Sequence, residues 1–347
     1  MAKSKQRSGS GSAVQRREEM RQQRQNRPNS KSNSRSRSGR KGSRGNQSTS
    51  WILIGGIIVA VVVVVGAFIV IGNLQRAATK ATPQNFADIT HISASAQSTV
   101  GAGSVTTNVL GDGTSNNPGL LKAVSSTPIL KGPTGKPEFF YMGAEYCPYC
   151  AAQRWSMIIT LSRFGTFNKP LTSIISSEDN VPTYSFYQSS YSSQYIDFVP
   201  MEVEDQNSNP LQTLTPDQQA LTNKYDAAPY TTQAGSFPFL DFGNQYVSAG
   251  AYDDPTMFVG QSYDQIVKDI QDTNSNVSQS VLGSANYMTA AICKMTSNQP
   301  GSVCQSPAIQ QIEQQLPAPT SATASTSETQ AEVLLNTPAL VETRKRA

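Results

Sequence analysis

The chain has 347 residues, with 28 Lys or Arg against 24 Asp or Glu and a formal net charge of +4, a length that allows two domains. The mean charge conceals an uneven distribution: residues 1–50 hold fourteen Lys or Arg against Glu18 and Glu19, so fourteen basic and twenty-two acidic residues follow Gly72. With one histidine, His91, the chain lacks a second imidazole for a histidine-based metal centre, and His91 reads as a solvated residue.

Residues 1–50 are filled with Ser, Gly, Asn and Gln between the charges and read as a disordered basic tail. Such a tail either fixes topology as a solvated segment or touches anionic lipid headgroups or nucleic acid. No aromatic residue interleaves its charges to stack on bases, which argues against nucleic acid. Trp51 to Gly72 carries no charge and is dominated by Ile, Val and Gly. As a helix it spans about 33 Å, enough for a hydrocarbon core of about 30 Å. A cleaved signal peptide is the rival reading, but the basic lead is long and Arg76-Ala77-Ala78 makes a poor cleavage site. Basic residues before the span outnumber Arg76 and Lys80 after it, so the positive-inside rule places residues 1–50 in the cytoplasm and the remainder outside the cell membrane. All four cysteines then lie in an oxidising compartment.

Residues 73–126 are rich in Ala, Thr, Ser, Gly and Asn, with turn signals at Gly111-Asp112-Gly113 and Asn116-Asn117-Pro118-Gly119. They read as a stalk with room for one short helix. A compact α/β domain is expected over 127–304, with strands at Glu138–Met142, Leu171–Ile175 and Val199–Val203 and a helix from Ala151 to Phe164. A further helix runs from Pro216 to Tyr225 behind a Thr215 cap. Phe237–Phe242 and Gln245–Gly250 flank Gly243-Asn244 as a hairpin, followed by helices over Tyr263–Ile270 and Ala285–Met295. Residues 305–347 lose periodicity and read as a disordered tail.

The chemistry concentrates in Gly143-Ala144-Glu145-Tyr146-Cys147-Pro148-Tyr149-Cys150. A Cys-x-x-Cys pair sits there between an apolar strand and a helix. Unpaired N–H groups and the positive dipole end of the first helical turn favour a thiolate on the leading cysteine. Cys147 is the expected nucleophile and Cys150 the resolving thiol. The alternatives are a fixed structural disulfide or half of a zinc site.

A strand, a Cys-x-x-Cys helix, a late proline opening a hairpin strand and a final helix resemble the thioredoxin fold. By that resemblance Phe237-Pro238 is a cis pair facing the cysteines, and Phe237, Pro238, Pro148 and Tyr149 form the substrate-binding edge. Tyr141 stands where thioredoxins carry a buried aspartate, so a proton acceptor for Cys150 is missing unless Glu145 or Glu138 serves. The Pro-Tyr pair between the cysteines is the glutaredoxin dipeptide, although no glutathione site is evident. The strings GAEYCPYCAAQRW, SRFGTF, TYSFYQSSYSSQY and PFLDFGN are similar, over roughly residues 85–305, to a family of membrane-anchored thioredoxin-like proteins in archaea and bacteria classed as a domain of unknown function. The aromatic run Thr183–Phe198 either packs an inserted hairpin or walls a peptide groove.

Cys293 and Cys304 flank a turn-rich segment. A structural disulfide is the simplest reading, contributing somewhat under about 3 kcal/mol in the chain-entropy model; an electron-relay dithiol and a four-cysteine zinc site are the rivals. The expected protein is a single-pass, membrane-anchored thiol-disulfide oxidoreductase acting on substrate proteins with thiols or disulfides, with a possible membrane redox partner and lipid contact through residues 51–72. It needs neither metal nor organic cofactor. The alternative is a non-catalytic surface binding or assembly module of the same fold.

Overall fold

The computed structural model describes residues 80–124 and 127–318; the expected tail and membrane span at 1–72 lie outside them. Among the described residues no helix is long and apolar enough to cross a membrane. Three short helices come first: α1 (Pro83–Thr90), α2 (Ala94–Val100) and α3 (Thr106–Leu110). They lead to β1 (Leu121–Ala123), β2 (Glu138–Gly143) and α4 (Pro148–Phe164). Two small hairpins follow: β3 (Gly165–Phe167) pairs with β6 (Tyr191–Ser193), and β4 (Thr172–Ile175) with β5 (Pro182–Ser185). Next are β7 (Asp197–Glu202), α5 (Pro216–Tyr225), β8 (Phe239–Phe242) and β9 (Tyr246–Ala249). The chain closes with α6 (Tyr263–Gln271), α7 (Asn276–Met295), α8 (Gly301–Cys304) and α9 (Pro307–Glu313).

The architecture is mixed α/β. The central sheet has the order β1-β9-β8-β2-β7, with β2 parallel to β7 and the other neighbours antiparallel. All of β2 is buried, which suits its aromatic, non-alternating sequence to the middle of a sheet covered on both faces. On one face Phe139, Tyr141, Leu240 and Phe242 meet α4 and α7. Phe140, Met142, Phe239 and Val247 form a second cluster with Tyr225 of α5 on the other.

Helix α4 is buried along most of its length, polar residues included. Its polar side chains therefore find partners: Trp155 Nε1 donates to Pro182 O at 2.9 Å, and Thr160 Oγ1 to Ala285 O at 3.1 Å. Helices α5 and α6 start at Thr215 and Ser262, whose hydroxyls accept from the third helical N–H.

Two segments differ from the sequence reading. The expected stalk folds against the core from residue 83 onward, burying Phe86, Ile89, Val100, Val105, Val109 and Leu121. Its attachment depends on glycine: a Cβ on Gly283 in α7 would stand 2.6 Å from Ala102 O, so backbone meets backbone where the chain leaves α2. The expected C-terminal tail likewise begins with α9, which buries Ile309 and Ile312. Leu171–Ile175 was expected as a strand, and β4 does form, but in a separate hairpin. Helix α7 begins at Asn276, earlier than the apolar run from Ala285 implies, because Ser275 caps it.

Candidate functional site

Strand β2 ends at Gly143 and α4 begins at Pro148, so the intervening turn delivers Cys147 and Cys150 to the C-terminal edge of the sheet. Cys147 is the N-cap residue of α4: the Cys150 N–H donates to its Sγ at 3.2 Å. Pro148 fills the first helical position, where its fixed φ and missing N–H cost nothing. Both thiols are free. Cys147 is 6% exposed, Cys150 is fully buried, and Tyr149 between them is 54% exposed.

The two thiols are held unequally. Hydrogen bonding from the Cys150 thiol pulls the Cys147 thiol below its ordinary value against the opposing effect of burial, helped by the Cys150 N–H and the Arg154 guanidinium. Burial pushes Cys150 well above the thiol range, reinforced by its hydrogen bond to Cys147, while Arg154 opposes. The leading thiol is thus the better thiolate.

Phe237 packs against Cys147, Cys150 and Ala144, and the Phe237–Pro238 peptide is cis. A concavity of about 480 Å³ opens beside Phe237, lined by Met142, Val203, Leu214 and Gln219. A second, of about 470 Å³, lies beside Tyr149 among Asn108, Tyr252, Pro255 and Met257. The structure thus brings Cys147, Cys150, Pro148 and Phe237–Pro238 together, with Tyr149 reaching toward the second hollow.

Beneath the thiols lies a buried ion pair absent from the sequence reading. Arg154 donates from Nε to Glu202 Oε1 at 2.9 Å and from Nη2 to Glu202 Oε2 at 2.6 Å, with both side chains fully buried. Nη2 also reaches Ala144 O at 2.9 Å, the carbonyl that accepts from Cys147 N–H at 3.3 Å. The guanidinium therefore sits directly under the turn that carries the dithiol. Tyr141 donates its hydroxyl to Glu202 Oε2 at 3.4 Å, and burial raises its own pKa so that it stays protonated. Gly143 makes room: a Cβ there would overlap the Tyr141 hydroxyl and stand 3.0 Å from Cys150 Sγ. A charged residue one turn after Cys150 in an apolar helix was a sequence signal for Arg154. Glu202, 48 residues away, had none.

The carboxylates weighed as proton acceptors for Cys150 are placed differently. Glu138 starts β2, about 16 Å of strand before Gly143, and faces Asp197; burial and that negative neighbour push it up to about 7. It is too far to serve. Glu145 accepts from the Ser185 hydroxyl at 2.6 Å, and burial raises its carboxyl above the usual range.

Cys293 and Cys304 form a disulfide joining α7 to α8. Nearby Met295 packs on Gly243, at the sheet end where β2 begins, away from the dithiol. The aromatic run packs inward: Tyr184 and Phe186 are buried, and Phe186 meets Tyr141 edge-on at 5.4 Å.

Residues 122–294 match the model of a family described as Domain of unknown function (DUF929). No curated protein and no solved structure matches the chain.

Proposed function

We propose that the protein is a thiol-disulfide oxidoreductase with a thioredoxin-like core, anchored by residues 51–72 and facing the extracytoplasmic side of the cell membrane. The observation that carries this reading is the asymmetry of the dithiol: Cys147 caps α4 with its sulfur accepting from Cys150 N–H at 3.2 Å, while Cys150 is fully buried behind it. The order strand, dithiol helix, parallel strand, antiparallel hairpin after Pro238 and final helix supports the thioredoxin-like assignment. The charge-free run Trp51–Gly72 behind a basic tail supports the anchor and its orientation.

In this reading the Cys147 thiolate attacks one sulfur of a substrate disulfide, forming a mixed disulfide and expelling the other sulfur as a thiolate. Cys150 loses its proton and attacks Cys147 Sγ, breaking the mixed disulfide. The second substrate sulfur leaves, and both substrate thiolates take up protons. The substrate disulfide is reduced to two thiols and the protein dithiol oxidised to a disulfide; the reverse sequence oxidises a substrate dithiol. The hollows beside Phe237 and Tyr149 receive the chain on either side of the substrate cysteine.

The test is trapping. In full-length protein, Cys150→Ser accumulates mixed disulfides with substrate proteins on non-reducing gels, and Cys147→Ser does not, because only Cys147 combines access with a stabilised thiolate. Equal trapping by both variants sinks the assignment of roles. A wild-type pair that fails to equilibrate with dithiothreitol or glutathione buffers within minutes returns the chain to the binding-module reading. Alkylation of reduced protein by iodoacetamide should reach half its maximal rate below pH 8.5, the ordinary thiol value.

A further inference from the structure

The ion pair under the dithiol has a donor to spare. Arg154 commits Nε and Nη2 to Glu202 and Ala144, yet its Nη1 is buried without a hydrogen-bond partner among the described residues. A buried guanidinium normally satisfies its whole fork, so an idle nitrogen here needs a reason. The guanidinium acts electrostatically on the Cys150 sulfur, which stands one helical turn before Arg154 on the same face of α4. A side chain at Gly143 would press on both the Cys150 sulfur and the Tyr141 hydroxyl, which burial keeps protonated.

We propose that Arg154 is the positioning residue for the resolving step, its free Nη1 holding the Cys150 thiolate formed when the mixed disulfide is resolved. Glu202 orients the guanidinium and moderates its field. This rests on the thiol-disulfide exchange reading and deepens it. In the mixed disulfide Cys147 Sγ is bonded to the substrate sulfur and carries no charge. Cys150 must then lose its proton from a fully buried position, and Glu138, at the far end of β2, is not placed to take it. A fixed cation offers a different solution. The thiolate is stabilised where it forms once its proton has passed to solvent; it then attacks Cys147 Sγ as the Cys147–substrate bond breaks, and the departing substrate thiolate takes up a proton from solvent. No external oxidant is consumed beyond the substrate disulfide. Pre-oriented charge in a dry site acts more strongly than in water.

The experiment uses reduced full-length protein in detergent and the aromatic disulfide 5,5′-dithiobis(2-nitrobenzoate), followed by stopped-flow absorbance. Attack by Cys147 releases one thionitrobenzoate and resolution by Cys150 a second, so the two steps are seen separately. Arg154→Met combined with Glu202→Gln removes both charges at once and avoids leaving either buried alone. It should slow the second release at least tenfold and move its pH midpoint upward, with a smaller effect on the first. Glu202→Gln alone leaves the guanidinium unopposed and should move the midpoint downward. Opposite shifts are beyond the reach of a general packing defect, and either variant decides the matter if the other fails to fold. An unmoved second-phase midpoint, or shifts of the same sign, overturns the role of Arg154 while leaving the oxidoreductase reading intact. A wild-type protein that releases no thionitrobenzoate overturns that reading itself.

Discussion

Helix α4 meets a buried carboxylate from another segment on each of two sides, and the two are satisfied by different means. Toward the thiols, Glu202 meets the Arg154 guanidinium through two bonds at 2.9 and 2.6 Å. Toward α7, Asp253 receives three hydroxyls instead: Ser156 at 2.9 Å, Ser280 at 2.7 Å and Ser284 at 2.7 Å. Burial raises the Asp253 carboxyl above its ordinary value even though each hydroxyl pulls it down. Neutral donors can satisfy an acceptor, but they supply no net charge to a neighbour. The Asp253 cluster therefore works as a clamp between α4 and α7, while the Arg154 pair also projects a field onto two sulfurs.

The largest effect should come from breaking the charged pair on one side only. Arg154→Ala leaves Glu202 buried and unpaired and should cost about 3–5 kcal/mol of stability, read by denaturant titration. Replacing both residues by Met and Gln should recover most of that loss, and a double variant as unstable as the single would show that packing rather than charge dominates. Next comes Gly143→Ala on the thiol side. Its Cβ would overlap the Tyr141 hydroxyl, and overpacking of this kind costs about 1–3 kcal/mol. A thermal midpoint equal to wild type would mean that the tyrosine yields freely.

The smallest of these effects should be Asp253→Asn, about 1–2 kcal/mol, since an amide keeps an acceptor for some of the hydroxyls but not all. It also tests the comparison through pH. A carboxyl raised by folding contributes stability that is complete below its unfolded value near 3.8 and lost as pH rises through the higher folded value. The deficit of Asp253→Asn relative to wild type should therefore shrink from pH 4 to pH 8. A deficit that grows over that range would mean the carboxylate is ionised and favoured in the fold.

Much of this arrangement was legible from local sequence. Thr215-Pro216 announced α5, the Gly243-Asn244 pair announced the β8–β9 hairpin, and Cys147 to Cys150 marked the start of α4, because capping, turn and helix-start chemistry act within a few residues. The segment 83–123 was misread for the same reason. Its helices are short and poor in apolar residues, so they are held by Phe86, Ile89 and Val109 meeting α4, α6 and α7 rather than by their own propensity. The two-stranded pairing of β4 with β5 was hidden too, since an isolated strand does not reveal its partner.

By itself the sequence determined where the dithiol lies, which cysteine caps the helix, and that a strand–helix junction presents it, because each depends on spacing and on helix-end chemistry. Tertiary structure alone decided what stands behind the thiols. Arg154 and Glu202 are brought together by the parallel pairing of β2 with β7, and Asp253 by the packing of α4 on α7. Burial converts both from ordinary surface charges into groups whose partners must be supplied by distant parts of the chain.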